Sequence, residues 1–136
     1  MTATSHPYGV RAGTELPELS LPPISRATLA LFAGASGDHN PIHIDLDFAR
    51  SAGFDDVIAH GMLSMAYLGR LLTRWVPQAQ LRSWTARFVS VTPLHAELTC
   101  HGRVASVVEG LAAVELTVTL ADGTTTLVGD ALVALS

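Results

Sequence analysis

The stretch His60-Gly61-Met62-Leu63-Ser64-Met65-Ala66-Tyr67-Leu68-Gly69-Arg70-Leu71-Leu72-Thr73-Arg74-Trp75 sets the architecture of this chain. Met62, Met65, Ala66, Gly69, Leu72 and Trp75 recur at intervals of three and four, the spacing of one helix face, and the other faces also carry Leu or Ala. A helix apolar nearly all round is buried on most sides, and Pro77 marks its end. Beyond Pro77 the apolar residues alternate instead. Trp84, Ala86 and Phe88 against Thr85 and Arg87 read as a strand running to Pro93, and Leu98, Cys100, Val104 and Val107 as a second after a turn at 94–96. Gly110 separates a third strand over 113–120, and the Asp122-Gly123 hairpin turn leads into a fourth over 125–135. The pattern predicts an antiparallel meander of four strands wrapped round one long helix, an α+β architecture.

Upstream, Thr14 to Leu21 reads as a short strand closed by Pro22-Pro23. Ser25 is a candidate N-cap for a helix through about Gly34, and Asp45 opens a short helical turn that Gly53 ends. Residues 1–10 read as a loose tail and 54–56 as a loop. No repeat divides the 136 residues, which read as a single domain.

Hydrophobic residues make up 49% of the chain against 15% charged, an excess that predicts apolar surface covered by a second copy. The net charge is −4, and all eight basic residues are arginines, so no basic stripe exists to hold nucleic acid. The single Cys100 can form no intramolecular disulfide and supports no cysteine metal site. The N-terminus lacks the pattern of a secretory signal, and the apolar stretch 57–69 is too short to span a bilayer. A soluble cytoplasmic protein is expected.

The chemistry concentrates in Gly37-Asp38-His39-Asn40-Pro41-Ile42-His43. On a continuous helix, Asp38 and His43 would point in different directions. Pro41 lacks a donor and pushes Asn40 towards an extended conformation, so the segment reads as a shaped loop. Such a loop can turn a carboxylate and an imidazole to one point, as proton transfer to and from water or a carbon acid requires.

The run from Phe32 to His43, followed by Ala59-His60-Gly61-Met62-Leu63, closely resembles the MaoC-like or hydratase 2 family of hot-dog proteins, over roughly residues 12–135. One departure stands out: many members carry Pro-Gly-Asp where this chain reads Pro93-Leu94-His95-Ala96-Glu97. The resemblance implies a hot-dog fold and reversible syn hydration of trans-2-enoyl thioesters to (3R)-3-hydroxyacyl thioesters. It assigns the two proton transfers to Asp38 and His43 jointly. Asn40 either orients the water or forms an Asx turn, and the Gly61 backbone is the candidate oxyanion donor. Met62 is expected against the substrate, although the helix pattern reads it and Met65 as core rather than as ligands. His60 is expected to pack or cap.

Coenzyme A or phosphopantetheine arrives as part of the acyl-CoA or acyl-carrier-protein substrate, with no separate cofactor and no metal. The expected assembly is a homodimer, or the catalytic half of a heterodimer with a related chain. A non-catalytic acyl-thioester-binding module is the alternative from another class, which an intact acid–base pair argues against. His39, His95 and His101 read as ordinary, and Arg70, Arg74, Arg82 and Arg87 as solvated residues or phosphate partners.

Overall fold

A computed structural model describes residues 9–136; residues 1–8 of the expected tail lie outside the described residues. Val10, also assigned to that tail, packs against the core. The described elements run β1 (Leu19–Ser20), α1 (Arg26–Ser36), a 3-10 turn (Pro41–His43), α2 (Leu46–Ser51), α3 (Gly61–Trp75), a second 3-10 turn (Gln78–Gln80), β2 (Leu81–Phe88), β3 (Thr99–Val108), β4 (Leu111–Thr119) and β5 (Thr125–Ala134).

Local chemistry accounts for the helix ends. The Ser25 hydroxyl accepts from the Thr28 N–H and caps α1. That helix continues to Ser36, beyond the expected end at Gly34, and Gly37 closes it at φ 77°, a backbone that glycine adopts without strain. The Asp45 carboxylate accepts from the Asp47 and Phe48 N–H groups and opens α2. These two caps bracket the Asp38–His43 loop between helices.

The five strands form one antiparallel sheet in the order β1-β3-β4-β5-β2. This corrects the expected meander. Only β3, β4 and β5 follow one another across the sheet, while β2 pairs with β5 at the far edge, Trp84 opposite Ala131 and Phe88 opposite Leu127. The first strand is also shorter than 14–21, although Glu15 makes an isolated bridge to Arg103. Likewise β2 ends at Phe88, not Pro93. Beyond the strand the Val89 and Ser90 N–H groups both turn to the Thr126 carbonyl of β5, and further on the Ala59 N–H donates to the Thr92 carbonyl.

On β4, Ala112, Val114, Leu116 and Val118 are buried in alternation with the exposed Glu115, and α3 lies over that face. The helix buries Leu63, Ser64, Leu68, Leu71, Leu72 and Trp75. The stripe expected inside, Met62, Ala66 and Gly69, is instead the more open side: Met62 is 56% exposed. Spacing alone does not choose between the apolar faces of such a helix. The choice goes to the bulkier branched side chains, which fill the space over the sheet.

Candidate active site

Three local hydrogen bonds shape the loop after α1. The Asp38 N–H donates to the Ser36 hydroxyl, the Asn40 N–H to Asp38 Oδ1, and the Ile42 N–H to Asn40 Oδ1. The last two are Asx-type turns and the first is their serine counterpart, so the Asn40 side-chain carbonyl is occupied in holding the loop. Pro41–His43 then winds as a 3-10 turn that swings His43 back towards Asp38.

The two expected partners meet. His43 Nε2 lies 3.8 Å from Asp38 Oδ2, beyond direct hydrogen-bond reach. His43 Nδ1 sits 2.7 Å from the Ile58 carbonyl, which can only accept. That bond places a proton on Nδ1 and leaves Nε2, the nitrogen on the carboxylate side, to exchange a proton. The His43 side chain is 12% exposed and that of Asp38 48%, so the described chain does not itself desolvate the carboxylate.

His60 supports both groups. It is buried at 1% exposure, and its ring stacks on His43 with centroids 3.8 Å apart at 25°. Phe32 meets it edge-on at 4.8 Å. His60 Nε2–H donates to the Asp38 carbonyl at 3.2 Å, leaving Nδ1 as a buried lone pair with no partner among the described residues. Burial first, and the neighbouring His43 second, push the His60 imidazole below its ordinary value and keep it neutral. It packs, as expected, but makes no side-chain cap to α3. Ligand atoms of Asp38, His43 and His60 fall within 4.8 Å of one another. His43 Nδ1 and His60 Nε2 are already engaged with the Ile58 and Asp38 carbonyls.

Beside His43 opens a mainly apolar cavity of about 440 Å³, walled by Gly61, Ser64, Phe88, Val91 and Thr126. Gly61 begins α3, and its N–H has no partner among the described residues, as expected at a helix start. Phe88 lies so close that a Cβ on residue 61 would stand 3.0 Å from its ring. Met62, expected against the substrate, does not line this cavity, nor do Asn40 and Asp38; Asp38 relates to it only through its 3.8 Å approach to His43. Phe88, Val91 and Thr126 were not foreseen, because a strand end and a distant strand reach the site only through the fold. Ser64 did carry a signal: it is the one polar residue on the buried side of α3.

A larger groove of about 530 Å³ runs between α3 and β2, lined by Gly69, Arg70, Arg82 and Trp84. Neither member of the acid–base pair lines it, whereas His43 lines the smaller cavity, and the chemistry assigns the active site there. The lone thiol, Cys100, is buried and pushed up to about 12, which excludes it as a nucleophile.

The family model described as the MaoC like domain matches residues 12–124, most of the chain. The chain belongs to the MaoC-like family. Among curated relatives, an (R)-specific enoyl-CoA hydratase of Rhodospirillum rubrum is 43% identical over 54 residues, which are 40% of this chain and 38% of that protein. A 3-hydroxyacyl-thioester dehydratase Z of Mycobacterium tuberculosis is 38% identical over 60 residues, 44% of this chain and 40% of that one. The matched stretches thus span about two-fifths of these relatives.

The structural likeness is broader. An R-hydratase of Pseudomonas aeruginosa superposes with a TM-score of 0.86 at 27% identity, over 94% of this chain and 83% of that one. An (R)-hydratase of A. caviae gives 0.83 at 26%, over 94% and 98%. This MaoC-like domain therefore has the hot-dog fold. No helix among its described residues is long and apolar enough to cross a membrane.

Proposed function

We propose that this MaoC-like chain catalyses the reversible syn hydration of trans-2-enoyl thioesters to (3R)-3-hydroxyacyl thioesters. The observation that carries the reading is the 3.8 Å separation of His43 Nε2 and Asp38 Oδ2. Two atoms so placed are too far apart to bond each other, yet can share one water held about 2.8 Å from each. The names of the relatives, hydratases and thioester dehydratases, point the same way.

In the hydration direction, the water oxygen forms a bond to the β-carbon as one of its protons passes to the pair. The π electrons move towards the thioester oxygen, and the resulting enolate collapses as the pair returns a proton to the α-carbon. Asp38 and His43 act as one coupled unit, so neither is assigned acid or base alone. The Gly61 N–H, at the positive end of α3, faces the charge that develops on the thioester oxygen. This chemistry needs water and the thioester alone, with coenzyme A or a phosphopantetheine arm as the handle and no metal or redox group. We place the reaction in the cytoplasm.

The working unit is proposed to be a homodimer. Among the described residues β2 pairs on one edge only, and the open stripe of α3 and the Trp84 groove lie beside it. Solution mass of the purified chain tests this: a dimer of one chain supports it, and a stable monomer, or a complex that needs a related chain, contradicts it. For the activity, loss of enoyl absorbance with crotonyl-CoA is followed for the wild type, Asp38→Asn and His43→Ala. Both variants are expected to lose about 10²- to 10⁴-fold in rate while remaining folded. A variant that keeps full rate removes its residue from the mechanism.

A further inference from the structure

We propose that Ser64 supplies a second donor to the thioester oxygen, beside the Gly61 N–H; this rests on the hydratase reading of the site and deepens it. Ser64 is 2% exposed, lines the cavity that holds His43 and Gly61, and its Oγ has no hydrogen-bond partner among the described residues. A serine inside a helix ordinarily bonds the carbonyl four residues back. Here that carbonyl, on His60, accepts from the Leu63 N–H at 3.1 Å, and Ser64 makes no such bond.

Helical side chains lean towards the N-terminus, and residues three apart share a face. The Ser64 hydroxyl therefore lies over the turn that Gly61 begins. Two donors, one backbone and one side chain, border the same cavity and neither has an acceptor among the described residues. A group that only accepts completes both, and a thioester oxygen gaining enolate charge is such a group. The bond would strengthen as that charge develops, which raises turnover rather than ground-state binding.

A competing acceptor exists. His60 Nδ1 is a buried lone pair four residues back in the chain, and it is also unpartnered among the described residues. If Ser64 served His60, its role would be structural, and the two roles differ in what they move.

The test compares the wild type with Ser64→Ala. Hydration of crotonyl-CoA is expected to lose about 10²-fold in kcat with little change in KM. The unfolding midpoint should be unchanged or raised, since alanine suits a helix and an unpartnered buried hydroxyl is removed. Ser64→Cys, close in shape but a weak donor, should fall between the two. Inhibition by a saturated acyl-CoA and by its S-alkyl thioether, which lacks the carbonyl oxygen, gives an independent readout. The wild type should favour the thioester, and Ser64→Ala should lose much of that preference.

A kcat within about threefold of wild type overturns the proposal. So does a lowered unfolding midpoint with the thioester preference intact, the signature of a Ser64–His60 bond. If the wild type hydrates no enoyl thioester on either coenzyme A or pantetheine, the underlying reading falls and takes this inference with it. Failure of the inference alone shows as an active wild type beside an equally active variant.

Discussion

Replacing His60 with phenylalanine separates the packing role of this ring from its protonation. His60→Phe keeps an aromatic plate against His43 and Phe32, worth about 0.5–1.5 kcal/mol per contact beyond area burial. It deletes the bond to the Asp38 carbonyl, at a cost of about 1–3 kcal/mol if that group is left unpaired. It also removes the unpartnered Nδ1, whose burial carries a penalty of similar size. The two changes offset each other, so stability at about pH 7.5 should stay within about 1–2 kcal/mol of wild type.

Acid breaks the balance. His60 ionises below its ordinary value of 6.5 in the folded chain, because burial and His43 disfavour the cation. Below pH 6.5 the unfolded chain binds the proton that the folded chain refuses. Stability is therefore complete above that value and is lost as the pH falls from 6.5 towards the depressed folded value. The slope from one such site is at most about 1.4 kcal/mol per pH unit. Urea unfolding of both proteins at about pH 7.5, 6.5 and 5.5 reads the difference directly. The variant should gain on wild type only in the acidic step. Parallel profiles across all three pH values would refute the idea that a neutral, buried His60 underlies the site.

The geometry sets three further outcomes. In Gly61→Ala the new methyl meets Phe88 ring carbons at 3.0, 3.1 and 3.2 Å, against an optimum of about 3.5–4.0 Å. Phe88 is half-exposed and can withdraw, so thermal unfolding should shift by no more than about 1 kcal/mol, while kcat/KM for crotonyl-CoA falls at least about tenfold. His95 holds φ 67°, in the segment where family members carry Pro-Gly-Asp, so His95→Gly should stabilise by up to about 1 kcal/mol in urea unfolding. The gain comes with no lost backbone bond, because the residue 95 N–H still reaches the Ile24 carbonyl. Glu109 and Gly110, at φ 52° and 76°, form the β3–β4 turn, and Glu109→Asn should add a few tenths of a kcal/mol by the same measurement.

The parts of this molecule legible in the sequence are those decided by neighbours along the chain. Ser25 and Asp45 cap helices because each accepts bonds two or three residues on, and the Asp38–His43 loop turns through Asn40-Pro41 for equally local reasons. The Asp122-Gly123 hairpin is of the same kind. The illegible parts depend on distant partners. Nothing within Leu81–Phe88 says that it pairs with β5 rather than β3, and nothing near Met62 says that Leu68 wins the core. His60 reads as a packing residue from its surroundings in sequence. Its hold on both His43 and the Asp38 backbone needs the loop and α3 brought together. The walls contributed by Phe88, Val91 and Thr126 are invisible for the same reason.

In the proposed mechanism, Asp38 and His43 hold one water and move both protons on one face of the substrate. Hydration of crotonyl-CoA in deuterium oxide, with the product resolved by configuration and by deuterium position, tests it most directly. The expected product is (3R)-hydroxy and carries one deuterium at the α-carbon, added to the same face as the hydroxyl. A (3S) product, or deuterium delivered to the opposite face, would contradict a single-faced transfer by this pair.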